Sequence, residues 1–396
     1  MKKLIFLLIL IFIVFDEKDV LAQERDTTIT ASVDGHIFKP KLASSADLSG
    51  LQTPDGFTIQ KFAEGLEKPR MMAVTEDGTV YVTRRQGDVR MLKDTNDDGQ
   101  ADINETVLTL DQVHGLALKD NQLYMITVTE VYKTDIKEDG KLGEPQLLME
   151  NLPEGGQHPN RTIEFGPDGK MYISVGSTCN ACDETSKENA TMIVSNDDGS
   201  GREIYAKGLR NTIGFDWHPE TNALYGLDHG IDWLGDTTQK EELNRLEEGN
   251  NYGWPYVYED GQPNPADQPP NGMSYAAYAE QTSFPVLTLP AHSAPMDLVF
   301  YDKEQFPENY RGKAIATLHG SWNRAEPSGY KVVMINFDEN GEPTGYEDFI
   351  TGFLVNGNQE YLGRVCGLAL AEDGSLFISD DGSGAIYKVS YEDVGK

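Results

Sequence analysis

The sequence predicts an all-β chain: a six-bladed propeller with loop insertions on the face around its channel mouth. Three observations lead there. Five segments repeat one pattern: "TEDGTVYVT" (75–83), "KDNQLYMIT" (119–127), "GPDGKMYIS" (166–174), "HPETNALYG" (218–226) and "AEDGSLFIS" (371–379). Each is an Asp, Asn or Gly turn feeding a short strand of aromatic and β-branched residues, which is hairpin chemistry. The first four copies start 44, 47 and 52 residues apart, and a strand-built period of about 40–50 residues marks propeller blades. Helical periodicity is scarce throughout.

Taken in order, the chain opens on "MKKLIFLLILIFIVF", two lysines and then an apolar run too short for a comfortable membrane span. With "DVLAQ" behind it, this reads as a signal peptide over residues 1–22, cleaved after Ala22; an uncleaved N-terminal anchor is the alternative. No second such run follows, so the expectation is a periplasmic or secreted protein with no membrane span after cleavage. Residues 23–49 read as an N-terminal arm and 50–396 as the propeller. The strands "RTIEF", "NTIGF" and "VCGLAL" each precede a repeated turn and open a blade. Between 218 and 371 the strands "MDLVFY" and "GKAIATL" form a divergent blade, which brings the count to six. The same gap holds "WLGDTTQKEELNRLEEGNNYGWP" and a Pro-rich stretch to about residue 290, read as an insertion on one face. A pair of β-sandwiches would match the strand count but not the recurring unit.

The formal charge of −32, from 65 acidic and 33 basic residues, argues against nucleic acid or an anionic membrane as partner. It suits divalent cations, a basic protein partner or a salty exterior. The three cysteines are Cys179 and Cys182 in "CNAC", and Cys366. No histidine follows Cys182, as covalent haem attachment would need, and no second pair offers a zinc site. A local disulfide staple is the expectation.

Five of the seven histidines occupy related positions. His114, His158 and His292 precede the first strand of a blade; His229 and His319 follow an inner strand. Arg210, Asn211 and Arg364 also stand before first strands. In a propeller these loops crowd one mouth of the channel. The result is a pocket rich in donors within an acidic protein, suited to a planar polyanion that guanidinium groups can grip. A neutral histidine there can serve as general base. "HGSWNR" (319–324) adds Asn323 and Arg324 at a strand end.

"DTNDDGQADINE" matches the EF-hand ligand spacing: Asp94, Asn96, Asp98, Gln100, Asp102 and Glu105, with Gly99 at the turn. No helix flanks it, so it reads as a structural Ca²⁺ loop between strands; a solvated acidic turn is the alternative.

On these motifs the chain resembles the sorbosone dehydrogenase-like branch of the soluble pyrroloquinoline quinone (PQQ) sugar dehydrogenases. The likeness runs from "GFTIQKFAEGL" (56–66) to "GAIYKVSY" (384–391) and is most specific in "CNAC", "GLRNTIGFDWHPET", "DWLGD", "EELNR", "YGWP" and "HGSWNR". The resemblance implies a six-bladed propeller binding PQQ and Ca²⁺, with hydride passing from the anomeric carbon of a sugar to the quinone. It implies His158 as the base, with Arg210 and Asn211 beside the reactive carbonyls. His114, His229, His292, His319, Asn323, Arg324 and Arg364 would hold the cofactor. Backbone carbonyls of Gly230 and Ile231 would hold its Ca²⁺, and Glu242 and Tyr252 a second, structural one. The electron acceptor would be a cytochrome c or a quinone. Glucose enzymes of that family carry glutamine where this chain has His114 and His229, and close members often read "HHGWK" where it has "HPNR", so substrate choice does not carry over. Two other classes compete: a Ca²⁺-dependent lactonase, which needs Glu, Asn and Asp around a central metal, and a cofactor-free propeller that binds glycans or proteins.

Overall fold

The computed structural model describes residues 37–44 and 48–393. The signal-peptide reading, His36 and most of the arm lie outside them. The described residues are almost entirely strand and turn, and the one α-helix is Tyr275–Ala279. None of their helices is long and apolar enough to cross a membrane.

Among the described residues there are six four-stranded antiparallel sheets. Their first strands are Pro69–Val74, Gly115–Lys119, Arg161–Phe165, Thr212–Trp217, Pro295–Phe300 and Val365–Leu370. These six contact one another in closed succession, the last against the first. The repeated turns each lead into a second strand: Val80–Arg84, Gln122–Ile126, Met171–Val175, Leu224–Asp228 and Leu376–Asp380. The sixth sheet takes its outer strand, Phe57–Ala63, from the start of the described chain and pairs it with Ala385–Tyr391 near its end. Two distant segments thereby close the ring.

Apolar residues face the neighbouring sheet rather than a common centre. Tyr225, Leu227 and Leu243 of the fourth sheet pack on Leu298, Phe300 and Ala316 of the fifth. Each of the leucines and Phe300, fully buried, contributes about 1.5–3 kcal/mol. The six first strands surround a cavity of about 260 Å³, into which Glu164, Asp216 and Asp297 project.

The structure corrects one element. "EELNRL" is not part of an insertion: Glu241–Leu246 is the third strand of the fourth sheet, and Leu287–Leu289 is its fourth. Glu241 and Glu242 are both buried, so the strand's charged letters disguised a core element. The true excursion lies between those two strands, from 247 to 286. It holds the short helix and the hairpin Val257–Tyr258 with Gln262–Pro263.

Candidate active site

Antiparallel order puts the start of every first strand and the end of every second strand on one face. Four of the six first–second pairs shift register near that end, at Pro69/Met72, Thr212/Phe215, Pro295/Asp297 and Val365/Leu368. Bulges of this kind re-aim side chains beside functional sites. Here they sit next to Arg70, Arg210–Asn211, His292 and Arg364.

His158 enters from the third sheet. Its Nδ1 lies 3.0 Å from the Ser177 carbonyl and 2.8 Å from the Ser177 hydroxyl. A carbonyl only accepts, so Nδ1 carries the proton and Nε2 keeps its lone pair. Burial, then Arg210 and His229, push the His158 pKa down to about 3. At neutral pH it is an uncharged base. Arg161 fixes its loop by donating to the His158 carbonyl at 2.8 Å and to the Pro153 carbonyl at 3.0 Å.

The other two pre-strand histidines are spent. His114 Nδ1 donates to the Arg161 carbonyl at 2.9 Å, and its Nε2 faces Arg70 Nη2 at 3.4 Å. His292 Nε2 donates to the Gly235 carbonyl at 2.8 Å, and its Nδ1 accepts from Asn323 at 3.3 Å. His229 likewise donates through Nε2 to the Pro295 carbonyl and accepts from Asn211 at 3.4 Å. Burial lowers the pKa of His114 to about 3 and of His229 to about 4. The His114 and His229 rings are therefore neutral at pH 7 and add no positive charge to that of the neighbouring arginines.

Arg210, Asp232 and Asn323 form one chain. Arg210 Nη2 lies 3.1 Å from one Asp232 oxygen, and Asn323 Nδ2 donates to the other at 2.7 Å. Asp228, one strand away, accepts the backbone amides of Arg210 and Asn211 at 2.9 and 2.8 Å. A second chain was not read from the sequence. Arg70 Nη1 and His319 Nε2 both bind Asp381, at 2.7 and 2.6 Å. Burial raises the Asp381 pKa, but His319 and Arg70 outweigh it and hold the carboxyl well below its ordinary value. Arg70 was legible in principle, since it stands at the start of the first strand of its sheet, Pro69–Val74, close to where Arg210 and Arg364 stand in theirs. Trp233 and Trp322 were also missed; their rings meet edge to face at 5.3 Å beside these loops.

Arg324 and Arg364 differ from Arg70 and Arg210, which face Asp381 and Asp232. Among the described residues neither pairs with a carboxylate. Arg324 donates from Nη1 to the Ala291 carbonyl at 3.0 Å, while its buried Nε has no partner. Arg364 donates from Nε to the His319 carbonyl at 3.3 Å and from Nη2 to the Gly320 carbonyl, with its guanidinium 5.4 Å from the centre of the Tyr330 ring. Two guanidinium groups without a carboxylate partner, in a chain of net charge −32, have the chemistry to grip an anion.

The metal candidates separate. Gly230 and Ile231 donate their amides to Glu241 and Gln239, at 2.8 and 3.0 Å. Their carbonyls take no hydrogen bond from a described residue. Glu242 accepts from Gln239 at 3.2 Å and from the Glu259 amide at 2.7 Å. Burial and then Asp228 push its pKa up to about 8. The Tyr252 hydroxyl is engaged elsewhere, by the Arg245 carbonyl at 2.5 Å and the Glu247 amide at 2.9 Å, and shares no partner with Glu242. Loop 94–105 lies at the opposite ends of the strands from the histidines. Asp94 accepts from Gly99 at 2.7 Å and Asn96 at 3.2 Å, Asp98 from Gln100 and Asp102 from Thr95 at 2.8 Å each. Asn96 accepts from the Asp98 amide at 3.0 Å. Glu105 stands in the strand Ile103–Thr109, 3.9 Å from Lys141.

The TrAA12-like family model matches residues 51–392. The chain belongs to the TrAA12-like family. An uncharacterised protein of Borreliella burgdorferi is 30% identical to this TrAA12-like chain over 370 residues, 89% of this chain and 94% of that one. The calcium structure of a Trichoderma reesei family AA12 carbohydrate-active enzyme aligns with TM-score 0.76 at 22% identity, over 86% of this chain and 97% of that one. The holo PQQ domain of the Coprinopsis cinerea pyranose dehydrogenase aligns with TM-score 0.73 at 21% identity, over 86% and 97%. At such identities the TrAA12-like chain shares their fold.

Proposed function

We propose that this chain is a six-bladed propeller enzyme that oxidises an aldose or sorbosone-like sugar at the anomeric carbon, with PQQ and Ca²⁺ as cofactors. Its electrons would pass to an acceptor outside the cytoplasm, a cytochrome c or a quinone. One observation carries the reading. A neutral histidine with a bare Nε2, His158, stands with Arg210 and Asn211 in the same ring of loops as two guanidinium groups that lack acidic partners. A glycan-binding propeller needs no such base, and a lactonase needs carboxylates where these cations stand.

The residues fit the cofactor. The buried, unpartnered Nε of Arg324 and the unpaired Arg364 suit the carboxylates of a tricarboxylic quinone. Asn323, His114, His229, His292 and His319 make the polar wall. The free carbonyls of Gly230 and Ile231 suit a hard cation, which takes oxygen ligands. When bound, PQQ with its Ca²⁺ supplies a two-electron hydride acceptor. His158 takes the proton of the anomeric hydroxyl onto Nε2, while the Ser177 carbonyl holds Nδ1–H and so the tautomer. An anion gripped by the arginines offsets the Arg210 field and strengthens Nε2 as a base. Loop 94–105 and the Glu242 region would take further Ca²⁺ for stability. Residues 50–396 form the enzyme domain behind the arm 23–49, and the leader 1–22 would direct export.

Reconstitution of purified protein with PQQ and Ca²⁺, followed by a dye-linked screen of aldoses, tests this. Stoichiometric PQQ uptake with sugar-dependent dye reduction is the expected result. Absence of PQQ binding at micromolar concentrations overturns it.

A further inference from the structure

The loop closed by the Cys179–Cys182 disulfide has no role in the chemistry above, yet it touches both halves of the site. The side-chain oxygen of Asn180 accepts Arg210 Nη2 at 2.8 Å and the Asp232 amide at 2.9 Å. Its side-chain nitrogen donates to the Asp232 carbonyl at 3.2 Å. Its backbone carbonyl accepts Arg210 Nε at 2.9 Å and the Trp254 indole at 3.2 Å. One residue thus grips one edge of the guanidinium twice and holds the Asp232 backbone from both sides. The same loop reaches His158, because the Ser177 hydroxyl donates to the Cys179 carbonyl at 2.8 Å.

We propose that Asn180, locked by the disulfide, is a positioning residue that fixes Arg210 and Asp232 as one unit. The inference rests on the dehydrogenase reading only for its effect on turnover. Arginine side chains lose much rotamer freedom when they are ordered, so a pre-formed clamp spares the cost of ordering Arg210 when ligand arrives. An amide suits the task better than a carboxylate. It satisfies guanidinium N–H groups without adding a second negative charge beside Asp232, which already faces Arg210 at 3.1 Å.

Asn180→Ala and Asn180→Asp test it by two independent readouts. The first is the rate of phenylglyoxal modification of Arg210 in protein without cofactor, followed by peptide mass spectrometry. Asn180→Ala should raise it about tenfold or more, whereas Asn180→Asp, which keeps the acceptor, should stay near wild type. The second is turnover per PQQ site titrated. In Asn180→Ala, kcat per site should fall about 10–100-fold, as for a displaced catalytic group, while KM for sugar moves less than about threefold. Asn180→Asp should keep Arg210 protected but weaken PQQ about tenfold, because the added charge opposes the anion. Unchanged Arg210 reactivity in Asn180→Ala overturns the proposal, as does unchanged kcat per site. If Asn180→Ala does not fold, a Cys179→Ser, Cys182→Ser double variant replaces it. That variant should show raised Arg210 reactivity, and wild-type reactivity there overturns the lock. Should wild-type protein bind no PQQ, the dehydrogenase reading falls, while the Arg210 measurement still decides the clamp.

Discussion

His158 and Ser177 are joined twice: the imidazole Nδ1 lies 3.0 Å from the serine carbonyl and 2.8 Å from its hydroxyl. The carbonyl belongs to the backbone and survives any side-chain change. His158→Ala should therefore lower kcat about 10²–10⁴-fold, the usual cost of a lost general base, with PQQ titration intact. Ser177→Ala should cost less than about tenfold, since the tautomer is still held. If His158→Ala keeps near-normal turnover, the base is His319, whose Nε2–H is held by Asp381.

The ionisation of His158 gives a pH test. Its pKa is pushed down to about 3, so the neutral, basic form persists well below the ordinary histidine value of about 6.5. In cofactor-free protein its ring resonances should not titrate between pH 5 and 8. On binding PQQ the pKa should rise, because anionic carboxylates offset the Arg210 field. A midpoint near 6.5 in the free protein would contradict the burial and charge environment described above.

Arg324 and Arg364 should separate binding from stability. Arg324→Ala should weaken PQQ by about 1.5–3 kcal/mol, the worth of a charged hydrogen bond, with a smaller loss of melting temperature than Arg364→Ala, since it frees the Ala291 carbonyl alone. Arg364 also ties down the carbonyls of His319 and Gly320, so Arg364→Ala should lower both affinity and melting temperature. Calorimetry with and without cofactor reads both. Unchanged affinity in both variants would remove the anion site.

Glu164 should make the fold sensitive to alkali. Burial, then the neighbouring Asp216 and Asp297, raise its pKa well above the ordinary value; burial pushes those two up to about 7. A raised carboxyl pKa means the folded state holds more protons than the unfolded one. Its stabilisation is full below about pH 4 and is lost as pH climbs through the folded value. Between about pH 7.5 and 9, where the low-pKa histidines are almost entirely neutral in both states, the melting temperature should fall. Glu164→Gln should raise it by about 2–4 °C at pH 8 and by less at pH 5. An equal effect at both pH values would exclude repulsion in the channel as the cause.

Much of the molecule is legible in its letters, for a physical reason. Turn residues such as those of "EDGTVYVT" act locally, so the repeated second strands are written directly into the chain. His114, His158 and His292 are visible because a position just before a first strand recurs in every sheet. Other features depend on distance. Glu241–Leu246 reads as charged surface, and only burial between neighbouring strands makes it core. Phe57–Ala63 finds Ala385–Tyr391 across more than three hundred residues, a pairing that no local pattern encodes. The sequence by itself determined which side chains stand at the ends of which strands, because strand period and turn chemistry are short-range. Only the tertiary structure decided their work, by setting burial and partners: His114, His229 and His292 spent on fixed hydrogen bonds, Asp381 brought between Arg70 and His319, and His158 left with one bare nitrogen.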